Sequence, residues 1–390
     1  MMILKYLRIF LLILLVVCGK TDPPQAKDYY EGILVSQERD ILIPQINLDS
    51  IILENIPSSF VGYIRVFSDT VFFVDYLQNR VFPITIDGKI YPFRIGTGKS
   101  PKEFFGGVIH DFTFLADNSF LIQGTSWDLH FFSDQWEFIE MKRVNWQSSE
   151  PVAENEIPDP QNPYLYSFNY ITGRDKCRLL GNYIFCEVSS FHPLFNMINS
   201  RDYYRRSKLI AKLDVISGVV VDLLGLRSLA FENYEFIGHF SRAIFDVAPA
   251  KQQFFLGFEP DPLIYVCDSS FKPIRAFGLN GLQMNQNYST YKGNDFNEVE
   301  KIFRKDQVDC GTYTSLEYIE ERDLLFRSYS RGSHSHYDGL QIYRNEVLIA
   351  DVDVPKGFKV EGYLAPYFIS SFFQDSLYES GKIYLFQLDF

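Results

Sequence analysis

Positive charge is scarce in this sequence, and so are long apolar segments and helical periodicity. The 390 residues hold 37 Lys and Arg against 49 Asp and Glu, a net charge of −12 with no basic patch. That balance argues against nucleic acid as a partner. The apolar run from Ile9 to Cys18 is shorter than the roughly 20 residues with which a helix crosses a bilayer. Beyond it, helix-period stretches are short, so a mainly helical fold is excluded.

The N-terminal residues resemble a bacterial lipoprotein signal. Two positive charges precede the apolar run, as in a secretory signal. The run ends in Leu15-Val16-Val17-Cys18, similar to the lipobox whose cysteine becomes the acylated first residue, although Val17 replaces the usual small residue. We expect residues 1–18 to be the signal peptide, Cys18 to carry the lipid and residues 19–31 to be a polar tether. The resemblance implies a cell-envelope protein with the membrane as a partner, anchored to the outer membrane on its periplasmic or surface face.

Aromatic residues make up 17% of the chain, and Phe and Tyr favour strands. From Phe60 onward, short runs alternate apolar with polar residues and are separated by turns, the pattern of antiparallel strands. The turns before five similar strands lie near Asp69, Asp117, Gly181, Lys251 and Arg322, and a sixth strand-like run covers residues 367–371. Recurrence at intervals of about 50 to 70 residues predicts an all-β propeller with six blades, or alternatively seven.

The most specific motif lies in residues 72–104. A strand ends in Asp, an Asn follows, Asp-Gly marks a hairpin and a Gly-x-Gly segment comes next, which resembles an NHL-type propeller blade. The matching positions are Asp75, Asn79, Asp87, Gly88, Gly96 and Gly98. Residues 96–100 also look like the end of a phosphate-binding P-loop, but Phe93 stands where that motif needs Gly. A lipobox followed by divergent blades at this length resembles the DUF4221 family of Bacteroidota lipoproteins, which implies a six-bladed propeller and no defined activity.

Residues 32–390 are expected to form one propeller domain. A propeller must tie its last blade to its first, because an open ring would leave a strand edge unpaired. Residues 32–48 alternate like a strand, so we predict that they complete the blade built from residues 360–390. Since the tether is short, both terminal segments are then expected at the blade nearest the membrane.

Three stretches interrupt the blade pattern and are expected to be loop insertions. They are residues 147–163, 196–208 and 280–309. In the last, Asp295 and Glu298 resemble a capping box ahead of a short amphipathic helix. Long excursions from a regular repeat are where binding surfaces tend to be built.

The four cysteines that follow Cys18 include one facing pair. Cys177 and Cys186 flank a hairpin whose two-residue turn is Gly181-Asn182. Counting outward from that turn makes them a non-hydrogen-bonded pair, with Cα atoms about 4.5 Å apart, within reach of a disulfide. Two reduced, packed cysteines are the alternative. Cys267 and Cys310 could pair between neighbouring blades, but their spacing does not require it.

Candidate chemical groups are few. His334, His336 and Asp338 would share one side of a strand if the segment were extended, a weak candidate metal face; a solvated loop rich in Gly and Ser is the preferred interpretation. A propeller enzyme would gather carboxylates at its central channel, and strand-end aspartates are candidates for that position: Asp75, Asp111, Asp246 and Asp268.

The sequence therefore predicts a lipid-anchored envelope propeller that serves as a ligand-binding, protein-binding or scaffold module. Its binding surface is expected at one end of the channel, beside the three insertions. A protein or a glycan is the expected ligand, and no cofactor is required apart from a metal at the channel as an alternative. The competing function is a propeller hydrolase or lyase that acts on glycans at the channel mouth, with carboxylates as its machinery.

Overall fold

The computed structural model describes residues 26–390 except 116, 126–127, 147–152, 154–155, 157, 170–175, 199, 234–239, 292, 294, 376, 378 and 389–390. The predicted signal peptide, Cys18 and the first part of the tether therefore lie outside the described residues. Within the described part of the chain, no helix has the length and apolar character needed to cross a membrane.

Six antiparallel sheets follow one another along the chain and form the six blades of a β-propeller, which confirms the predicted fold. Blade one contains β3 (Gly62–Phe67), β4 (Thr70–Asp75) and β5 (Arg80–Ile84), and blade two contains β8 (Ile109–Phe114), β9 (Phe120–Gly124), β10 (Asp128–Phe132) and β11 (Phe138–Arg143). Blade three contains β12 (Tyr166–Phe168), β13 (Arg178–Leu180), β14 (Tyr183–Ser190), β15 (Ile210–Asp214) and β16 (Val220–Leu224). Blade four contains β17 (Ala243–Ala248), β18 (Gln253–Phe258), β19 (Asp261–Cys267) and β20 (Pro273–Phe277). Blade five contains β21 (Thr312–Ile319), β22 (Leu324–Ser330), β23 (Tyr337–Arg344) and β24 (Val347–Pro355), and blade six contains β25 (Val360–Leu364), β26 (Tyr367–Asp375) and β27 (Ser380–Phe386).

Further strands and helices lie before and between the blades. A parallel pair, β6 (Gly96–Thr97) and β7 (Glu103–Phe104), follows blade one. Two further strands, β1 (Val35–Ser36) and β2 (Asp49–Leu53), precede blade one. The α-helices in the described part of the chain are α1 (Ala26–Tyr30), α2 (Arg201–Arg206), α3 (Ala230–Asn233) and α4 (Phe296–Asp309). Asp295 caps α4 by accepting a hydrogen bond from the Asn297 N–H at 2.9 Å, which satisfies one of the free N–H groups at a helix start.

Each strand picked out by alternation occupies the same place in its blade. The five sequence runs and the sixth at residues 367–371 correspond to β4, β9, β14, β18, β22 and β26, the strand that pairs with the first antiparallel strand of its sheet. Buried on both faces by neighbouring blades, such strands are rich in Phe, Leu, Ile and Val. The repeat in the sequence is therefore the repeat of the second antiparallel strand of each blade.

Aromatic pairs join five of the six neighbouring pairs of blades, and at the sixth junction Trp146, in the segment after β11, packs on Phe168 of blade three. These contacts use many of the aromatic residues. Going round the ring from the contact of blades one and two, the pairs are Phe72–Phe112, Trp146–Phe168, Phe185–Phe254, Phe255–Tyr318, Phe326–Phe368 and Phe372–Phe73. Ring centroids in these pairs lie 4.5 to 5.9 Å apart, within the range of favourable aromatic contacts. The propeller thus has apolar layers between blades.

The ring is closed by an N-terminal strand, but not by residues 32–48. Strand β2 pairs antiparallel with β27, with Ile51 opposite Ile383. Its burial alternates as a half-buried edge strand requires, because Ile51 and Leu53 are buried and Ile52 is exposed. The prediction of closure is confirmed, and the predicted segment was wrong.

Residues 32–48 instead run along the outer edges of blades four and five. Strand β1 pairs in parallel with β20, and the Leu42 and Ile43 N–H groups both donate to the Ile349 carbonyl. Pro44 has no N–H group, so a regular ladder could not continue through it. We call residues 26–53, which cross the outside of the ring from blade three to blade six, the N-terminal strap.

The strap begins between blades three and four. Residues 26–30, predicted as tether, form α1: the Tyr30 hydroxyl donates to the Leu226 carbonyl at 2.6 Å and the Tyr29 hydroxyl donates to the Phe271 carbonyl. The tether therefore joins the propeller beside these two blades. The expectation that it would join at the closing blade was wrong.

Candidate functional site

Charged side chains from the first strands of all six blades meet at the centre of the propeller. Blades one and two contribute Arg65 and Asp111, and blade three contributes Lys176 and Arg178. Blades four, five and six each contribute one carboxylate, and we call the whole set the central ionic ring: Arg65, Asp111, Lys176, Arg178, Asp246, Glu317 and Glu361.

Short ion pairs connect the members of this ring across blade boundaries. Arg65 Nη2 lies 2.6 Å from Asp111 Oδ1, and Arg178 bridges Asp246 and Glu317, each at 2.8 Å. Lys176 Nζ reaches across from blade three to Glu317 Oε2 at 2.6 Å and to Glu361 Oε2 at 2.7 Å. Lys176 therefore connects blade three to blades five and six across the centre of the ring.

Burial and charge act against each other on the pKa values of these groups. Burial opposes ionisation of Glu317, but Lys176 and Arg178 outweigh it and hold the pKa of that carboxyl below its ordinary value. Burial raises the pKa of Asp246 to about 6, although Arg178 counteracts part of the rise. Removing one partner of a buried ion pair leaves the other charge buried and uncompensated. The stability of the ring therefore depends on all its members.

The strand-end aspartates divide into two groups. Asp111 and Asp246 belong to the ring, where arginines occupy their carboxylates. Asp75 accepts hydrogen bonds from Ser58, Ser59 and Gln78, and Asp268 accepts from the Ser270 and Lys272 N–H groups. These last two shape turns.

Cys177 and Cys186 lie beside the ring. Their Cα atoms are 4.6 Å apart, and the Cys177 N–H donates to Asp111 Oδ2 at 2.8 Å. The sulfur atoms lie within bonding distance, and the disulfide itself stays a prediction. A bond there would tie the segment that carries Lys176 and Arg178 to β14. Cys267 and Cys310 are buried thiols in different parts of the fold.

The histidines considered as metal ligands are on a loop. Residues 331–336 connect β22 and β23 and are not extended, so His334 and His336 do not share a strand face. Asp338 accepts a hydrogen bond from the Gly357 N–H at 2.8 Å. Among the described residues, no group of three or more His, Cys, Asp or Glu side chains is placed to hold a metal ion.

The NHL-like residues make contacts within blade one and to the start of blade two. Asn79 donates to the Gly107 carbonyl at 2.7 Å and accepts from the Ile109 N–H at 3.1 Å. Asp87 accepts from the Thr85 hydroxyl, and Gly88 has φ +83°, a conformation that favours glycine. Gly96 and Gly98 donate to the Lys102 and Phe104 carbonyls.

A cavity of about 640 Å³ opens at one mouth of the channel, and we call it the mouth cavity. It lies where the chain enters the first strands of blades four, five and six, and two insertions border it through Met197, Phe303 and Gln307. Six serine and threonine residues line it: Ser189, Ser241, Thr312, Thr314, Ser330 and Ser333. A pocket of about 40 Å³ shares Arg242, Ile244, Thr314 and Lys359 with the mouth cavity and also touches Lys176 and Glu361. The cavity therefore has the central ionic ring beneath it.

Arg227, almost fully buried, fixes the 196–208 insertion over this mouth. Its guanidinium donates to the Ser241 carbonyl at 2.9 Å, to the Tyr203 hydroxyl at 3.0 Å and to the Ser207 hydroxyl. The Ser241 hydroxyl contacts Met197 Sδ at 3.3 Å. Part of the cavity wall is thus held rigidly rather than carried on a free loop.

Glu187 is a buried carboxylate near the cavity with a strongly raised pKa. It accepts a hydrogen bond from the Ala243 N–H at 2.9 Å, and Arg242 Nη2 lies 3.5 Å away, beyond the 2.7–2.9 Å usual for a strong charged hydrogen bond. Burial raises its pKa to about 8. The carboxyl is therefore mostly protonated at neutral pH.

Sequence reasoning identified Asp111, Asp246 and the insertions but missed most of the ring and the cavity floor. A signal exists for the ring: a charged residue interrupts the apolar first strand of a blade, as Arg65 does in GYIRVF and Glu317 in TYTSLEYI. The residues of the cavity floor show no comparable pattern in the sequence.

Comparison with known proteins places the chain by its shape. No family profile and no curated protein match the sequence. The structure is similar to that of a DUF4221 family member from Bacteroides vulgatus ATCC 8482, with 12% identity, a TM-score of 0.60 and coverage of 90% of this chain and 99% of that one. It is also similar to a protein described as exported from Bacteroides fragilis NCTC 9343, with 14% identity, a TM-score of 0.52 and coverage of 91% and 98%. The resemblance to DUF4221 is thus confirmed at the level of fold: this chain is a six-bladed propeller similar in structure to a member of that family.

Proposed function

We propose that this protein is a lipid-anchored binding module of the bacterial cell envelope, a divergent relative of the DUF4221 proteins, whose ligand occupies the mouth cavity. The observation that supports it is a cavity of about 640 Å³ above the central ionic ring. A cavity of this size suits a small ligand or the end of a chain, and the paired charges beneath it favour binding at the mouth over passage through the centre.

The anchor is part of the proposal. Residues 19–25 between Cys18 and α1 can span at most roughly 25 Å at about 3.5 Å per residue. A lipid on Cys18 would hold the propeller close to the membrane, with blades three and four nearest to the tether. The similarity to a protein described as exported supports an envelope location.

Palmitate labelling in cells tests the anchor. The wild type and a Cys310→Ala control should incorporate label, whereas Cys18→Ala should not and should leave the membrane fraction. Equal labelling of Cys18→Ala would disprove lipidation at this residue.

A thermal-shift screen tests the cavity. Neutral oligosaccharides, uronic-acid oligosaccharides and short peptides are added to purified protein. At least one is expected to raise the Tm of the wild type but not that of Thr314→Trp, whose indole would fill the cavity. Stabilisation of both proteins to the same extent would place the binding site elsewhere. The ligand-free Tm of Thr314→Trp establishes whether that variant folds.

Glu187 supports a second candidate, a hydrolase or lyase acting on glycans. A carboxyl group protonated at neutral pH can act as a general acid, and Glu259 lies close enough to raise its pKa further. Product formation by the wild type, lost in Glu187→Gln with binding retained, would establish an enzyme. Binding without turnover supports the module.

A further inference from the structure

We propose that the mouth cavity receives a short, neutral oligosaccharide, or the neutral end of a longer glycan, inserted past Phe191 towards Ser189. This names the ligand class for the binding function proposed above and rests on it. Three properties of the cavity lead to this class: its charge balance, its unpaired hydroxyl and the aromatic side chain at its rim.

The formal charges of the side chains in the cavity wall sum to zero. Arg242 and Lys359 are cationic, and Glu259 and Asp338 are anionic. Both carboxylates already accept hydrogen bonds from the main chain. The main-chain N–H of Arg242 donates to Glu259 Oε2 at 3.2 Å, and the main-chain N–H of Gly357 donates to Asp338 Oδ2 at 2.8 Å. With no excess of either sign, the cavity has no charge to favour a phosphorylated or uronic ligand over a neutral one.

Ser189 supplies the polar group that points to a ligand. The residue is only 9% exposed, it lines the cavity, and among the described atoms its hydroxyl has no hydrogen-bond partner. A buried hydroxyl without a partner is unfavourable. The Ser189 Oγ atom exposes less than 1 Å², so it contacts a ligand once the side chain rotates into the cavity, where a ligand hydroxyl can both donate to it and accept from it. The other hydroxyls of the wall and the amides of Asn169 and Gln307 offer the same dual character.

Phe191 lies two residues beyond Ser189, just after β14 ends, and is 64% exposed. Covering a large apolar ring at the rim of a polar cavity is favourable, because it removes apolar surface from water. The C–H face of a sugar ring can stack on it while the sugar hydroxyls reach the cavity wall. Phe240 and Phe303, with ring centroids 5.4 Å apart, form an apolar part of the same wall.

A peptide fits these features less well. Peptides that bind propellers or sheets through their main chain pair with an exposed strand edge, whereas strand ends and loops line the mouth cavity. Discrete hydroxyl and amide groups around a cavity match a ligand whose hydroxyls project in several directions.

Calorimetric titration tests this inference. The probes are maltohexaose, cellohexaose and mannohexaose as neutral glycans, oligogalacturonate as the acidic glycan, and penta-alanine as the peptide. We expect a neutral glycan to bind best, with affinity reduced at least tenfold in Phe191→Ala and at least threefold in Ser189→Ala. The ligand-free Tm of Ser189→Ala should not fall, because only an unpaired hydroxyl is removed. Phe105→Ala, which removes another half-exposed phenylalanine away from the cavity, should bind like the wild type.

The outcomes separate this inference from the binding function. Tighter binding of oligogalacturonate or penta-alanine, blocked by Thr314→Trp, would overturn the neutral glycan and leave the binding function standing. Binding of a neutral glycan that is unaffected by Phe191→Ala and Ser189→Ala would overturn the proposed pose and its ligand contacts. Failure of every probe to bind would count against both.

Discussion

Arg65 of blade one and Glu361 of blade six face each other inside the propeller, with 3.8 Å between Arg65 Nη1 and Glu361 Oε2. The same two blades are joined on the outside, where Ile51 of β2 lies opposite Ile383 of β27. The junction between the first and the last blade is therefore stabilised at two places. An electrostatic contact holds it at the centre, and a strand ladder holds it at the rim.

Removing the charge of Glu361 should destabilise the whole ring. Its side chain is only 4% exposed and lies 2.7 Å from Lys176, so Glu361→Gln leaves a buried cation short of a partner. Breaking a buried pair in this way costs roughly 3–5 kcal/mol of the free energy of unfolding, measured by urea denaturation. Glu137→Gln, at an exposed position, is the matched control and should stay within about 0.5 kcal/mol of wild type. Equal stability of the two variants would mean that the ring contributes little.

Two adjacent isoleucines test closure at the rim. Ile51 is 5% exposed and Ile52 is 51% exposed on the same strand. Ile51→Ala should lower the free energy of unfolding by roughly 2–5 kcal/mol through the cavity it leaves, whereas Ile52→Ala should have a small effect. Thermal and chemical denaturation would measure both. Similar losses in the two variants would contradict the observed burial of β2.

Glu187 should make stability depend on pH. Its folded pKa of about 8 lies above the ordinary value of 4.5, so between these values the folded chain keeps a proton that the unfolded chain has released. The free energy of unfolding therefore falls as pH rises through this window, by about 1.4 kcal/mol per unit of pKa difference. Glu187→Gln removes this dependence.

The measurement is urea denaturation of wild type and Glu187→Gln at pH 5, 7 and 9. The variant should gain stability relative to wild type by at least about 2 kcal/mol between pH 5 and pH 9, from the same linkage. Parallel curves would show that the folded carboxyl ionises normally. Glu137→Gln again serves as the control.

The predicted disulfide can be tested by counting thiols. After export to an oxidising compartment, alkylation under denaturing, non-reducing conditions should modify Cys267 and Cys310 and leave Cys177 and Cys186 protected. Replacing the pair by serine should lower the free energy of unfolding by roughly 2.5 kcal/mol, the value for so short a loop. Alkylation of all four residues would show that the pair is reduced.

Local patterns predicted the blades well because a blade is a local structure. Alternation located the second antiparallel strand of all six, and turn counting placed Cys177 opposite Cys186. The central ionic ring was missed because its partners are far apart in sequence: Lys176 meets Glu317 and Glu361 only when blades three, five and six are assembled. The closing strand was misplaced by a few residues because residues 32–48 and 49–53 both alternate, and only contact with β27 distinguishes them.

The strap also fixes an order of events during synthesis. Strand β2 precedes the other strands of the six blades in the chain, and its partner β27 follows them. Until Ser380–Phe386 has been made, Asp49–Leu53 has no ladder to join, and the edge of the sixth blade does not exist. Folding of this propeller therefore cannot be completed one blade after another in chain order, and the newly made chain must carry an unpaired β2 until β27 has been made.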